Sequence, residues 1–223
     1  MPYRKTLLVN NHYYHIFNHS LRKASIFGNL GNPARAMNLM DYYRFIKIPT
    51  SYSLFLKFPR KYQLDLLKKL KKEGEKKVEI LSFCLMPNHY HLLLKQKVKN
   101  GIKDFISAFQ NGYAKYFNIK NEKEGPVFRG RFKAKTVSSD YQLLHLSRYI
   151  HLNPYSSNIV KNLNSLLTYA WSSLSEYLAQ EKGFCQPEIV LNQFKNPKTY
   201  KEFVLNQADY QKELESIKHL IPE

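Results

Sequence analysis

The chain has 223 residues, a hydrophobic content of 43% and a formal net charge of +18, from 35 Lys and Arg against 17 Asp and Glu. This length suits one domain with an extension, and the apolar content is ample for a packed core. Only two cysteines are present and no apolar stretch could span a bilayer, which argues against a disulfide-rich secreted protein and against a membrane protein.

The excess of positive charge predicts a polyanionic partner, most simply nucleic acid. The aromatic content of 14%, with 17 Tyr and 14 Phe, suits a single strand, because its exposed bases stack on aromatic rings. A basic surface that only keeps the protein soluble, with rings that only fill the core, is the competing interpretation. We expect a cytoplasmic, nucleoid-associated protein with no membrane partner.

The amino-terminal part of the chain alternates between extended and helical patterns. Residues 11–19 are rich in aromatic side chains and predict a first strand. A loop with Gly and Pro at residues 28–33 follows, and residues 34–47 then carry apolar side chains at helical spacing. Residues 62–73 place leucines opposite a lysine-rich face, which predicts an amphipathic helix that ends at Gly74.

Two strands come next, over residues 78–86 and 89–95, and the turn at residues 87–88 predicts that they pair antiparallel. Residues 105–117 predict a helix, because aromatic side chains recur there every three or four residues. Residues 127–137 alternate aromatic and basic side chains and predict a strand. That strand would hold four basic side chains on one face as a row suited to DNA phosphates: Arg129, Arg131, Lys133 and Lys135. An exposed strand face without a ligand is the alternative.

A further helix is predicted from residue 141 to about residue 152, after a Ser-Asp cap and before the breaking pair Asn153-Pro154. The order of elements predicts an α+β fold in which helices pack on an antiparallel sheet. Residues 1–160 form the predicted main domain, and residues 161–223 a mainly helical carboxy-terminal extension.

Two histidines stand one residue apart at the start of the strand over residues 89–95. Residues i and i+2 of a strand point to the same face, so His89 and His91 can both reach one ion. Imidazole is a common ligand of divalent transition metals. A third ligand must come from another element, since Cys84 is interpreted as buried packing. An oxygen ligand would make a mixed site that suits Mg²⁺ or Mn²⁺. A histidine pair without an ion is the alternative.

Tyr149 and Asn153 are four residues apart on the last helix of the main domain, so both can face one point. A phenol, with a pKa of about 10, is a poor nucleophile unless its ionised form is favoured, and a nearby divalent cation has this effect. His145, one turn earlier, and His15, on the first strand, are candidates for orienting the site. A core tyrosine and a surface histidine are the alternatives for Tyr149 and His145.

Four strings in this order resemble the REP-associated tyrosine transposases, which belong to the single-tyrosine branch of the HUH nucleases. They are FCLMPNHYHLLL (residues 83–94), YAKYFN (113–118), GPVFRGRFK (125–133) and RYIHLNP (148–154). The resemblance implies a ferredoxin-like catalytic domain, with His89 and His91 as metal ligands and Tyr149 as nucleophile. It also implies that Asn153 supplies the third ligand. The insertion at residues 21–59 and the extension beyond residue 178 depart from compact members.

The function implied is that of a single-stranded DNA endonuclease and strand transferase, a transposase with a covalent 5′-phosphotyrosine intermediate. It would use Mg²⁺ or Mn²⁺, act on single-stranded or hairpin DNA, and work as a monomer or homodimer. One alternative is a single-stranded nucleic-acid-binding protein on the same scaffold that does not cut. Another is a metal-dependent nuclease in which water attacks and no adduct forms.

Overall fold

Four antiparallel strands form one sheet in the order β2-β3-β1-β4. The strands are β1 (Tyr13–His19), β2 (Val78–Met86), β3 (His89–Gln96) and β4 (Lys133–Val137). β2 and β3 form a hairpin, whereas β1 lies between β3 and β4 and pairs with both. The central position of the first strand is the ferredoxin-like arrangement that the resemblance implied.

The computed structural model describes residues 6–28, 31–179 and 182–217. The predicted main domain begins, and the predicted extension ends, with residues that lie outside the described ones. Residues 29–30 of the predicted loop at residues 28–33 also lie outside them. In the described ranges, no helix is both long and apolar enough to cross a membrane.

The helices before and between the strands are α1 (Gly31–Tyr43), α2 (Tyr52–Phe55), α3 (Arg60–Glu73) and α4 (Gly101–Lys120). After β4 come α5 (Asp140–Ser156), α6 (Leu163–Leu167), α7 (Leu174–Tyr177), α8 (Glu188–Leu191), α9 (Pro197–Leu205) and α10 (Ala208–Ile217). The α+β class and the helical carboxy-terminal region predicted from the sequence are therefore confirmed.

Helices cover both faces of the sheet. On one face, Tyr90, Leu92 and Leu94 of β3 pack in a core with α1 and α4. On the other face, Leu93 of β3 packs in a second core with α5 and the later helices. Because side chains alternate along a strand, His91 lies on the same face as Leu93, which is the face that α5 covers.

The carboxy-terminal region continues the sheet beyond β2. The Leu85 amide donates to the Trp171 carbonyl at 2.8 Å, and the Ser173 amide donates to the Phe83 carbonyl at 3.0 Å. These bonds cover part of an edge strand that would otherwise expose its backbone groups. The extension is thus attached to the main sheet through hydrogen bonds as well as through the second core.

Strand β4 is shorter than the alternating pattern predicted, which is a correction to the predicted basic row. Gly130 adopts a left-handed backbone conformation with φ +58°, which a strand cannot accommodate, so the strand begins only at Lys133. Arg129 and Arg131 lie in the preceding loop, and only Lys133 and Lys135 share a strand face.

The carboxy-terminal ends of α1 and α5 also differ from the predictions. α1 ends at Tyr43 instead of residue 47, because the backbone of residues 44–46 pairs with residues 75–77. α5 continues through Pro154 to Ser156, and the Ser157 amide closes the last turn on the Asn153 carbonyl at 3.0 Å. Pro154 has no amide hydrogen to donate, but it is buried inside α5 and the helix continues for two residues beyond it.

Candidate active site

His89 and His91 lie at the start of β3, and their side chains point to one face of the sheet. Their ring centroids are 5.1 Å apart and the ring planes are nearly perpendicular, at 87°. His15 of β1 stacks on His91 with centroids 5.1 Å apart, and His19 stacks on His89 with centroids 4.8 Å apart. Two neighbouring strands therefore bring four imidazole rings together, because β1 and β3 pair in register.

Each histidine of the pair has a polar partner at its Nδ1 atom. His89 Nδ1 lies 2.7 Å from Asn88 Oδ1, and His91 Nδ1 lies 2.9 Å from His15 Nε2. An Nδ1–H bonded to an oxygen leaves the Nε2 of His89 as the nitrogen that carries the lone pair. Contacts of this kind fix the orientation and the proton position of a metal-binding imidazole.

His15 is held in its neutral form. Burial, with a smaller contribution from the charge of Lys135, lowers the pKa of His15 to about 4. At neutral pH, its imidazole therefore carries one proton and can either donate to His91 or accept from it. A neutral neighbour does not repel a cation from the face that His89 and His91 share.

Tyr149 reaches the histidines from α5, which packs across β2 and β3. Its ring centroid lies 5.6 Å from that of His91, at an interplanar angle of 88°, and 6.1 Å from that of His15. The Tyr149 side chain is partly exposed. The structure therefore brings the tyrosine and the histidines of one chain together at an accessible surface.

Asn153 is positioned one turn after Tyr149 and is only 3% exposed. Its Nδ2 atom donates to the Tyr149 carbonyl at 2.8 Å, which assigns the amide orientation and leaves Oδ1 as the atom with affinity for a cation. Among the described residues, no group of three or more His, Cys, Asp or Glu side chains is placed to hold a metal ion. The donor types of the histidine pair and of Asn153, two imidazole nitrogens and an amide oxygen, fit Mg²⁺ or Mn²⁺.

A family model described as IS200-like transposase matches residues 40–153, just over half of the chain. The chain belongs to the IS200-like transposase family. No curated protein matches the chain. The match ends at Asn153, so it includes the histidine pair and the part of α5 that carries Tyr149 and Asn153.

Two solved structures are similar to this transposase. One is a REP-associated tyrosine transposase bound to a REP hairpin, with a TM-score of 0.53, 13% identity, and coverage of 81% of this chain and 87% of that chain. The other is a Deinococcus radiodurans R1 protein described as a transposase, with a TM-score of 0.34, 17% identity, and coverage of 67% and 95%. The first shows that the fold is shared, and with the family match it confirms the resemblance found in the sequence.

The two strand lysines of this transposase flank the histidines. In the register of β1 and β4, Lys133 is opposite Phe17 and Lys135 is opposite His15. Residues directly opposite one another point to the same face, so both lysines lie on the face of the histidine pair. Arg129 and Arg131 are exposed in the loop at one end of this row.

The Nδ1 atom of His145, which was a candidate for orienting the phenol, faces an arginine of the same helix. Arg148 Nη2 lies 2.6 Å from His145 Nδ1, and the ring of Tyr141 lies 4.0 Å from the ring of His145. Burial, followed by the charge of Arg148, lowers the pKa of His145. The described hydrogen bond of His145 therefore goes to a neighbouring arginine of the same helix.

Several contacts of the site were not found from the sequence. Gln211 of α10 donates to the Tyr149 carbonyl at 3.2 Å, and α10 and α5 enclose a cleft of about 430 Å³ beside Tyr149. Asn88 was interpreted only as a turn residue. The adjacency of Asn88 and His89 was a signal that could have been used, whereas Gln211 is 62 residues from Tyr149 and nothing in its own segment marks it.

Proposed function

We propose that this transposase cuts and rejoins single-stranded DNA through a covalent bond between Tyr149 and a 5′-phosphate. The observation that carries the proposal is the approach of the Tyr149 ring to within 5.6 Å of the His91 ring. The tyrosine comes from α5 and the histidine from β3, and packing of these distant elements places the two functional groups at one accessible point. Both residues belong to the same chain, which supports the proposal that one subunit supplies the tyrosine and the histidines of its active site.

The reaction is a transesterification at phosphorus. The Tyr149 oxygen loses its proton and attacks the phosphorus in line, the bond from phosphorus to the 3′ oxygen breaks, and the 3′ oxygen takes up a proton. One phosphodiester is exchanged for another, so the reverse reaction can join the tyrosine-linked strand to a new 3′-hydroxyl without ATP. Positioning of the phenol relative to the phosphate is the main contribution of the protein.

His89, His91 and Asn153 are the residues that would hold a divalent cation, Mg²⁺ or Mn²⁺. Such an ion supplies charge neutralisation at the phosphate and favours the ionised form of a phenol. Hydrogen bonds from neighbouring groups orient these three side chains. Asn88 and His15 fix the imidazoles, and the Tyr149 carbonyl fixes the carboxamide.

We propose single-stranded or hairpin DNA as the partner. The formal charge of +18 and the lysines beside the histidines favour a polyanion, and the structural neighbour described above holds a REP hairpin. Contacts from Lys133, Lys135, Arg129 and Arg131 to phosphates would position a strand without reading its sequence. Base recognition must come from other side chains.

The test is a cleavage assay on labelled single-stranded and hairpin oligonucleotides with Mg²⁺ or Mn²⁺, resolved on denaturing gels. We expect a protein-linked 5′ product that disappears in Tyr149→Phe and persists in Tyr141→Phe, the matched control from the exposed start of the same helix. His89→Ala and His91→Ala should abolish cleavage and keep most of the DNA affinity.

Other outcomes would contradict the proposal. Cleavage that survives Tyr149→Phe and leaves no adduct indicates a hydrolytic nuclease with attacking water. Binding to every oligonucleotide without cleavage of any indicates a non-catalytic binding protein. Loss of DNA affinity in the histidine variants, as large as the loss of cleavage, would mean that these histidines bind DNA or stabilise the fold.

A further inference from the structure

Phe17 of β1 lies in the middle of a row that crosses the sheet beside the candidate nucleophile. In the pairing register, Phe17 is opposite His91 on β3 and opposite Lys133 on β4. The three side chains therefore share the face on which Tyr149 lies. The row consists of an imidazole, an aromatic ring and an ammonium group, in that order.

The ring of Phe17 belongs to neither hydrophobic core. Within the described part of the chain, Phe17 is absent both from the buried residues of the two cores and from the partly buried side chains that pack against them. Its side chain is partly exposed. A phenylalanine contributes most to stability when it is fully buried, so burial in a hydrophobic core does not account for an aromatic residue at this position.

The neighbours of Phe17 are polar groups of the active site. Its ring centroid lies 4.8 Å from that of His15 and 5.8 Å from that of His91, with interplanar angles of 31° and 25°. Lys133 Nζ lies 6.0 Å from the ring centroid. The two neighbouring imidazoles restrict the orientation of the Phe17 ring, so this ring loses little freedom when another ring stacks on it.

We propose that Phe17 is a stacking platform for an unpaired nucleobase next to the phosphate that Tyr149 attacks, and that Lys133 contacts a phosphate of the same nucleotide segment. This inference rests on the proposed function for the identity of the ligand as single-stranded DNA. Stacking on an aromatic ring tolerates every base, because each base has a π face. The platform thus selects for an unpaired base and positions the strand, while leaving sequence recognition to other residues.

The experiment uses oligothymidylates of about twelve nucleotides, each with one 2-aminopurine, whose fluorescence falls when it stacks. Binding is measured in EDTA with Tyr149→Phe protein, so that neither cleavage nor a metal ion contributes. We expect quenching and tight binding by the Tyr149→Phe protein. Adding Phe17→Leu should remove most of the quenching and weaken binding about five- to hundredfold, the effect of one stacked base. Phe17→Trp, which keeps a ring, should retain both.

Phe58→Leu is the matched control, because Phe58 is also an exposed aromatic side chain but lies between α2 and α3, outside the histidine face. It should leave quenching and affinity unchanged. Thermal unfolding of each variant checks that the fold is intact. Unchanged quenching in Phe17→Leu, or loss of quenching in a folded Phe17→Trp variant, overturns the proposal.

A separate measurement tests the phosphate contact proposed for Lys133. Lys133→Gln should lower the slope of log affinity against log salt by about one unit, as expected when one phosphate contact is lost. Lys68→Gln, from the exposed face of α3, should not change it. Equal slopes for wild type and Lys133→Gln would show that Lys133 makes no phosphate contact. Because these measurements need no cleavage, they can succeed when the cleavage assay fails. A Phe17 effect on binding, together with a wild-type protein that forms no adduct in the cleavage assay, would refute the proposed chemistry and keep the platform.

Discussion

His15 and His91 lie side by side on neighbouring strands, with His15 Nε2 2.9 Å from His91 Nδ1. We expect His15→Gln to weaken Mn²⁺ binding about ten- to hundredfold, since partners that orient a metal-binding histidine have effects of this size. Isothermal titration of Mn²⁺ without DNA measures the change. His12→Gln, at an exposed position just before β1, is the control. Equal Mn²⁺ affinity of wild type and His15→Gln would mean that the contact only packs the two rings.

Asn153 offers an amide oxygen while its Nδ2 is engaged by the Tyr149 carbonyl. Asn153→Ala should therefore lower Mn²⁺ affinity about tenfold or more, and adduct formation should fall with it. Asn153→Gln keeps a carboxamide and should retain most of both. An alanine variant that binds Mn²⁺ like the wild type would assign the third ligand to another residue.

Gln211 connects α10 to the tyrosine helix through bonds of 3.2 Å to the Tyr149 carbonyl and 3.3 Å to Ser156 Oγ. Removing them in Gln211→Leu should cost about 1 kcal/mol of unfolding free energy. The rate of adduct formation should fall about tenfold or more, because small displacements of a nucleophile are costly. Single-turnover kinetics and urea unfolding measure the two effects. Gln207→Leu, in the same cleft, should change neither; equal losses would indicate a general effect of the cleft.

His151 is fully buried on α5, with Nδ1 2.8 Å from the Tyr200 hydroxyl and Nε2 2.8 Å from Ser173 Oγ. Burial lowers its pKa to about 3, whereas an unfolded histidine has a pKa of about 6.5. Between these values the unfolded chain binds the extra proton, so stability is complete above about pH 6.5 and falls as the pH decreases. Acidification from pH 7 to pH 5 should therefore lower the free energy of unfolding by about 2 kcal/mol through His151.

Urea unfolding of wild type and His151→Gln at the two pH values isolates this contribution, because the lowered pKa of His15 acts equally in both proteins. The variant should be less stable at pH 7 and should lose about 2 kcal/mol less on acidification. His12→Gln should follow the wild type. A variant with the same acid dependence as the wild type would show that His151 does not carry the proton linkage.

Local patterns in the sequence predicted the regular elements well. β2 occupies the predicted residues 78–86, and β3 begins at His89 as expected, because hydrophobic alternation and the Pro-Asn turn act on neighbouring residues. The predictions were wrong where a distant contact decides the backbone. α1 ends early because residues 44–46 pair with residues 75–77, and α5 passes Pro154 because other elements pack around it.

The candidate site likewise has one part that local patterns predicted and another part that distant contacts decided. The shared face of His89 and His91 follows from the two-residue repeat of a strand, and the pairing of Tyr149 with Asn153 follows from the helical repeat. The contacts of His15 with His91 and of Gln211 with Tyr149 join residues 76 and 62 positions apart. No local periodicity encodes such distances.

The sequence alone determined the two halves of the candidate site, which are the histidine pair and the pair of Tyr149 and Asn153. Strand and helix repeats assign side chains to faces without reference to the rest of the chain. Only the tertiary structure decided that the halves meet, by packing α5 on the face of the sheet that carries the histidines. The same packing decided that Phe17 stays outside both cores beside them. Which elements cover which face depends on the burial of both cores at once, and that is a property of the whole folded chain.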